Sequence, residues 1–210
     1  MSDEHRLSEL RRKIQKHNHP AKGSAIKVEP IRDVSAIMAI KMQLKDQPRN
    51  ACLFTLGINT AYRAGELLSL RISDVADLGI GDGLEIKQHK NNKYRRTSLN
   101  RTAYQAIQLW LDVHPKPEPL APLFLSLKGG ALGVSATNHL VKRWCKDAGL
   151  QGNYGSHTLR KTWGYQQRII LTTPISLLMR AFGHSSEMQT LEYLCIQPEE
   201  IGKLYMELEL

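Results

Sequence analysis

The pattern of apolar and polar positions divides the chain into helical stretches that are interrupted once by alternating residues. Apolar residues at helical spacing predict an amphipathic helix that starts near Glu29 and ends near Pro48. A second helix is predicted for ACLFTLGIN, which is apolar on nearly every side, as in a helix buried within a domain. A break near residues 59–61 precedes a third helix, which starts at about Arg63.

In the middle of the chain the spacing of apolar residues changes from helical to alternating. Alternating residues in LEIKQ and YRRTSL, joined by the turn residues KNNK, predict a β-hairpin with a basic tip. A short strand is also predicted for LFLS. Helical spacing is found in four further segments: TAYQAIQLWLDVHP, SATNHLVKRWCKDAGL, GSHTLRKTWGYQQRI and TPISLLMRAFGH. The predicted fold class is therefore α+β and mainly α-helical, with one small antiparallel sheet.

We expect two parts in the chain. Residues 1–27 form a basic tail with a short helix, and residues 28–210 form one domain that includes a C-terminal helix over 198–210. That last helix carries an apolar stripe, which would pack either on its own domain or on a neighbouring molecule. The two possibilities are left open by the sequence.

The composition narrows the class of protein. The 210 residues, 41% hydrophobic and 23% charged, are those of an ordinary soluble globular protein. The sequence contains neither an apolar stretch long enough to span a membrane nor a secretory signal, so a cytoplasmic location is expected. Three widely spaced cysteines, Cys52, Cys145 and Cys195, indicate buried thiols and not a disulfide frame or zinc site.

The net charge of +9 is concentrated in two segments. Residues 1–32 carry eight Lys and Arg against four acidic residues, and residues 85–101 carry six against one. Basic residues concentrated in this way are used to neutralise phosphates and release counterions. A solvated basic surface is the other explanation, but nucleic acid becomes the leading partner.

A small set of polar residues stands at the ends of predicted elements. The set has no paired carboxylates and no metal ligands, so it describes a site for an anionic substrate. Guanidinium groups would stabilise the charge on a phosphodiester under attack, with tyrosine as a nucleophile and lysine as an acid for the leaving oxygen. The residues are Arg63, Lys90, His157, Arg160, His184 and Tyr193.

Each of these residues also has an ordinary structural explanation. Arg63 and Arg160 could form surface ion pairs, and His184 could cap the helix that follows it. Lys90 shares the basic hairpin with Lys87 and Lys93, so the register of the loop leaves its assignment open. Only the combination favours a functional site.

Four motifs of this chain resemble those of the tyrosine recombinase (phage integrase) family. They are TAYRAGELLSL with Arg63 and Glu66, the hairpin QHKNNKYRRTSL with Lys90, HTLR with His157 and Arg160, and FGHSSEMQTLEY with His184 and Tyr193. Each motif alone is weak, but all four occur in the family's order, with its nine-residue gap from histidine to tyrosine. The resemblance covers roughly residues 28–198.

The resemblance implies a site-specific recombinase that cuts and rejoins DNA. Tyr193 would attack a DNA phosphate to give a 3′-phosphotyrosine and a 5′-hydroxyl. The phosphoryl oxygens would be held by Arg63, Arg160 and His157. No metal, ATP or other cofactor is expected, because the covalent link conserves the energy of the phosphodiester.

The same resemblance implies supporting roles for the remaining motif residues. Lys90 would protonate the departing 5′-oxygen, His184 would hydrogen-bond the phosphate or the tyrosine, and Glu66 would orient Arg63. The expected partner is double-stranded DNA, with self-association on DNA as a dimer or tetramer through the C-terminal helix, and with a nucleoid location. Basic residues of the hairpin and tail are expected to bind the DNA: Lys87, Lys93, Arg95, Arg96, Arg11 and Arg12.

The chain departs from the family in three places. Only about 28 residues precede the catalytic part, so it resembles the short members that lack a full N-terminal core-binding domain, or a small mobile-element protein that recruits a partner. The usual glycine of the first motif is Ala61, and the usual leucine before Gly-His is Phe182. Two alternatives remain: a DNA-binding accessory or regulatory protein that has lost catalysis, and a relaxing enzyme of the type IB topoisomerase kind.

Overall fold

The computed structural model of the protein describes residues 27–87 and 94–196, together with Gly202, Tyr205 and Met206. Helix α1 spans Val34–Gln43 and begins where the Asp33 side chain accepts the Ser35 N–H at 2.8 Å. The predicted start near Glu29 was too early. The preceding segment is not helical, because its backbone N–H groups bond across the domain, from Glu29 to the Asn153 carbonyl and from Ile31 to the Thr162 hydroxyl.

Helices α2 (Pro48–Gly57) and α3 (Ala64–Leu68) follow. Most of α2 is buried, as its uniformly apolar sequence predicts. The turn between them passes through Ala61, which has a positive φ of 56° and therefore a left-handed backbone. A single turn of 3₁₀-helix, Ile72–Asp74, comes after α3.

The predicted hairpin is confirmed. Strands β1 (Gly83–Lys87) and β2 (Tyr94–Ser98) pair antiparallel, with Ile86 opposite Arg95. Leu84 and Ile86 are buried on the face that packs against the helices. The turn residues 88–93 lie outside the described part of the chain.

Three helices complete the main body: α4 (Arg101–Leu111), α5 (Val134–Asp147) and α6 (Ser156–Ile170). The short strand predicted from LFLS is absent from the described residues. LFLS makes one isolated bridge, between Leu125 and Ala131, and the preceding Pro122 makes another with Arg71. Pro122 has no N–H to donate, so its pairing with Arg71 does not extend into a ladder there.

The last two described helices are α7 (Ile175–Phe182) and α8 (Glu187–Leu194). They pack over α6 around a small second apolar cluster that includes Phe182 and Leu194, separate from the main core. The close approach requires Gly164 on α6, where an added Cβ would lie 2.3 Å from the Phe182 ring.

Mainly helical structure with one two-stranded antiparallel sheet confirms the predicted fold class for the described residues. The predicted helix of the N-terminal tail lies outside these residues, as does the C-terminal segment 198–210 apart from Gly202, Tyr205 and Met206. None of the described helices is long and apolar enough to cross a membrane.

Candidate active site

Arg63 occupies the residue before α3, and Glu66 on that helix holds it in place. The buried Glu66 carboxylate accepts the Arg63 backbone N–H at 2.7 Å and its guanidinium at 2.9 Å. The carboxylate therefore caps the helix and orients the arginine at once. With 44% of its side chain exposed, Arg63 still presents donors to solvent.

Arg160, near the start of α6, is a buried cation with one N–H donor that is not hydrogen-bonded within the described part of the chain. Only 3% of the residue is exposed, and its guanidinium donates to the Phe182 carbonyl at 2.6 Å. Its Nε is buried without a hydrogen-bond partner among the described residues. Burial lowers the pKa of Arg160 to about 10, so the group stays protonated at neutral pH. An unpaired donor on a buried cation is suited to binding an anion.

His157 lies in the first turn of α6 and is exposed. The helix start is fixed on α5, because the Ser156 N–H donates to the Asn138 side chain at 2.9 Å. Partial loss of solvent, followed by the charges of Arg160, Lys161 and Arg63, lowers the pKa of His157. The lowered pKa favours the neutral ring, in which one nitrogen is a donor and the other an acceptor.

His184 follows α7 in a turn that depends on Gly183, which has a positive φ of 66°. Its ring stacks on Phe182 with centroids 5.1 Å apart, and its Nδ1 lies 3.1 Å from the Thr190 hydroxyl. Burial, with smaller contributions from nearby arginines, lowers the pKa of His184 to about 4. This imidazole is also neutral at physiological pH.

Tyr193, near the end of α8, lies in the same group of side chains. Its ring centroid is 5.1 Å from that of His184 and 5.8 Å from the Arg160 guanidinium carbon. The hydroxyl is buried and has no hydrogen-bond partner among the described residues. Burial raises the pKa of Tyr193, while the charges of Arg160, Arg63 and Arg95 act in the opposite direction.

The structure thus brings together five of the six residues predicted for catalysis. Arg63 and Arg160 both act electrostatically on the His184 ring and the Tyr193 hydroxyl, which places all four in one positively charged site. His157 joins them through the charges of Arg160 and Arg63. The catalytic roles of these residues remain predictions.

Lys90, the sixth residue, lies outside the described part of the chain. The same is true of Lys93, Arg11 and Arg12, which were predicted to bind DNA. Lys87 ends β1, and Arg96 is exposed on β2. DNA binding by this set stays a prediction.

Arg95 was expected on the DNA-facing surface, but its side chain points into the domain. Only 13% of it is exposed, and its guanidinium donates to the Ala181 carbonyl and lies 3.6 Å from the Glu66 carboxylate. Burial lowers the pKa of Arg95, and Glu66 opposes that effect. The strand pairing explains this placement, because Arg95 lies directly opposite the buried Ile86 and shares its face of the hairpin.

Sequence reasoning did not single out Lys161, which contacts the candidate nucleophile. It is 5% exposed, with its Nζ 4.7 Å from the Tyr193 ring centroid and 3.2 Å from the Cys195 sulfur. Lys161 follows Arg160 on α6, and nothing in the sequence around a lysine in this position indicates that it is buried. Within residues 27–87 and 94–196, no group of three or more His, Cys, Asp or Glu side chains could hold a metal ion.

The family is identified by comparison with known proteins. The model of the phage integrase family matches residues 31–200, so the chain belongs to this family. The resemblance drawn from the four motifs is confirmed.

Two curated relatives illustrate the range of lengths. The probable integrase/recombinase YoeC of Bacillus subtilis (strain 168) is 29% identical over 181 residues, which cover 85% of this chain and 95% of that protein. The tyrosine recombinase XerC of Caldanaerobacter subterraneus subsp. tengcongensis is 30% identical over 156 residues, 73% of this chain but 43% of that protein. The chain therefore spans less than half of that XerC and nearly all of YoeC.

Solved structures share the fold. The crystal structure of XerA recombinase superposes with a TM-score of 0.71 at 19% identity, covering 90% of this chain and 66% of that one. XerH recombinase, crystallised on a palindromic difH substrate in a post-cleavage complex, gives a TM-score of 0.68 at 23% identity, covering 87% of this chain and 53% of that one.

Proposed function

We propose that the protein is a site-specific DNA recombinase that cuts and rejoins DNA strands through a 3′-phosphotyrosine on Tyr193. The observation that carries this proposal is the Tyr193 hydroxyl, which is buried without a hydrogen-bond partner among the described residues and is acted on by three arginines. An unpaired phenol in positive surroundings is suited to attack an anionic phosphate, because the developing charges are stabilised in place.

The residues would divide the reaction among them. Arg63 and Arg160 hold the non-bridging oxygens of the phosphate, and the exposed His157 hydrogen-bonds the same group from the open side. The Tyr193 hydroxyl gives its proton to the neutral His184 ring or to water, and its oxygen forms the new bond to phosphorus as the bond to the 5′-oxygen breaks. Lys90 protonates that 5′-oxygen.

The Glu66 carboxylate and the neutral His184 ring support these steps. Glu66 holds Arg63 at the start of α3, and His184, neutral because its pKa is about 4, hydrogen-bonds the phosphate or the tyrosine. The phosphotyrosine conserves the energy of the broken bond, so religation to a 5′-hydroxyl requires neither ATP nor a metal ion. The same step on another strand gives recombination.

The proposed partners follow from the relatives. XerH is seen on its DNA substrate, and this chain shares its fold, which supports double-stranded DNA as the substrate. We also propose that the protein self-associates on DNA through segment 198–210, and that the basic tail and hairpin tip contact phosphates. The chain would consist of a tail of residues 1–27 and a catalytic domain of residues 28–210.

The experiment is a denaturing gel shift on duplex DNA that covers the sequences flanking the protein's own gene. A nick in the cleaved strand, a few nucleotides to the 3′ side of each scanned position, lets the short fragment with the 5′-hydroxyl diffuse away, so that a covalent complex accumulates. We expect a band that resists denaturant with the wild type and none with Tyr193→Phe.

The matched control is Tyr104→Phe, which removes the hydroxyl of a tyrosine on α4 away from the site. This variant should form the band as the wild type does. A band that persists in Tyr193→Phe would refute the assignment of the nucleophile. Tight binding without any band from the wild type would favour a DNA-binding protein without catalysis.

A further inference from the structure

We propose that Arg95 is a positioning residue for strand cleavage, because its guanidinium joins the Arg63–Glu66 pair to the turn that carries His184. This inference rests on the proposed function, which supplies the reaction that the positioning serves. The positioning role does not require Arg95 to contact the DNA phosphate.

The backbone directs Arg95 to this position. Successive side chains of a strand point to opposite faces, so Arg95 and Arg96 separate although they are neighbours. Arg95 lies opposite Ile86, whose side chain is buried, while Arg96 lies opposite the exposed Glu85. Arg95 is consequently the arginine of this pair that reaches the interior.

Three contacts fix the Arg95 side chain. It donates to the carbonyl of Ala181 near the end of α7, and it lies 3.6 Å from the Glu66 carboxylate on α3. Its guanidinium carbon is 5.5 Å from the centroid of the Tyr62 ring, and the Tyr62 hydroxyl bonds the Leu84 carbonyl of β1 at 2.6 Å. One side chain therefore connects the hairpin, the Arg63 helix and the segment before His184.

Glu66 is shared between two guanidinium groups. Its Oε1 accepts from Arg63 at 2.9 Å, and its Oε2 faces Arg95. If Arg95 were removed, the buried carboxylate would lose one of these two guanidinium contacts and would keep that with the half-exposed Arg63. A buried charge with a missing partner moves towards solvent or towards its remaining partner, so Arg63 would shift with it.

The competing explanation is that Arg95 only stabilises the fold. Arg49 offers a control, because it too is partly buried and donates to a backbone carbonyl, that of Leu125 at 2.6 Å. Its other hydrogen bonds among the described residues go to the Asn50 side chain and not to a candidate site residue. Arg95→Met and Arg49→Met thus each remove a partly buried guanidinium that donates to a backbone carbonyl.

The first measurement is the cleavage rate on nicked DNA at saturating protein, well below the unfolding temperature of each variant. We expect Arg95→Met to lower this rate by about 10- to 100-fold, as misplacement of reacting groups by roughly 1 Å does. The DNA concentration that half-saturates the reaction should change little, and Arg49→Met should keep the wild-type rate. Arg95→Lys should recover only part of the rate, because one ammonium cannot both donate to the Ala181 carbonyl and face the Glu66 carboxylate as the planar fork does.

The second measurement does not depend on activity. Hydrogen exchange of the backbone N–H groups of Arg63, which bonds Glu66 at 2.7 Å, and of His184, which bonds Met179 at 3.0 Å, reports on the two positioned segments. Both should exchange faster in Arg95→Met than in Arg49→Met.

The outcomes separate the two proposals. Equal cleavage rates, or equal exchange at Arg63 and His184, in Arg95→Met and the wild type would overturn the positioning role. The absence of cleavage by the wild type would count against the proposed function alone, and the exchange rates would still decide whether Arg95 positions the two segments.

Discussion

Arg160 donates a guanidinium N–H to the backbone carbonyl of Phe182 at 2.6 Å. Phe182 is the last residue of α7 and is followed directly by Gly183 and His184. This hydrogen bond therefore joins the HTLR motif on α6 to the FGH motif after α7. The Phe182 ring adds to the connection, since it lies under the Arg160 guanidinium at 4.9 Å and stacks on His184.

The packing of α6 against α7 and α8 predicts that Gly164 tolerates no side chain. A Cβ at this position would lie 2.3 Å from the Phe182 ring and 2.8 Å from Leu194. Gly164→Ala should lower the free energy of unfolding by about 1–3 kcal/mol, as overpacked cores do. Urea unfolding followed by circular dichroism measures this change.

The control for that variant is Gly65→Ala on α3, where no atom lies within 4 Å of an added Cβ. It should be neutral or stabilising by up to about 1 kcal/mol, because alanine favours the helix. Similar losses of stability in the two variants would contradict the packing described for Gly164.

The left-handed backbone at Ala61 predicts a small effect for one substitution and a large one for another. Its φ of 56° lies in the left-handed region, and the residue is only 2% exposed. Ala61→Gly should change the free energy of unfolding by at most about 1 kcal/mol, because relief of strain offsets the added freedom of the unfolded chain. Ala61→Val should lose more than about 2 kcal/mol, since a β-branched residue is strained there and its added methyl groups have little space. Equal stabilities for the Gly and Val variants would refute the left-handed turn.

The low pKa of His184 predicts a dependence of stability on pH. The pKa falls from an ordinary 6.5 to about 4 on folding, so the unfolded chain binds more protons between these two values. The contribution of neutral His184 to stability is thus complete above pH 6.5 and is lost as the pH falls through about 4. Denaturant unfolding at a series of pH values from 7.5 to 4 should show this decline.

His184→Asn provides the comparison for the pH series. The variant should be less stable near pH 7, because it loses the stacking on Phe182, but its stability should fall less steeply between pH 6.5 and 4 than that of the wild type. Parallel curves for the two proteins would show that another group causes the decline.

The contact between Lys161 and Cys195 predicts the reactivity of a thiol. Lys161 Nζ lies 3.2 Å from the Cys195 sulfur, just beyond the end of α8. Lys161→Met removes this hydrogen bond, so the end of α8 should open more often and Cys195 should react faster with a thiol reagent under native conditions. Mass spectrometry of the labelled protein distinguishes the sites.

Cys145 serves as the internal reference for the labelling. It is fully buried, and burial raises its pKa to about 12, so it should stay unreactive in both proteins until they unfold. Equal labelling rates of Cys195 in the wild type and Lys161→Met would contradict the role of the lysine in holding α8.

Much of the fold could be predicted from local periodicity. The uniformly apolar α2 and the alternation of the hairpin are local signals, and both elements are observed. The start of α1 was misplaced because Glu29 and Ile31 are held by hydrogen bonds with Asn153, Thr158 and Thr162, which lie more than 120 residues away in sequence. No local pattern reports such contacts.

The candidate site was predicted as a set of residues but not as an arrangement. The order of the motifs identified Arg63, His157, Arg160, His184 and Tyr193, which the structure brings together. The inward direction of Arg95 depends on the register of the hairpin, since pairing with Ile86 decides which face it shares. The burial of Lys161 depends on the packing of α8, which the sequence of α6 does not reveal.

In the proposed reaction, Tyr193 becomes covalently linked to a 3′-phosphate of DNA. Mass spectrometry of the peptide that carries the nucleotide, after nuclease and protease digestion of the trapped complex, identifies this link directly. We expect a nucleotide joined through its 3′-phosphate to the Tyr193 oxygen. A nucleotide on any other residue, or one joined through its 5′-phosphate, would refute the proposed reaction.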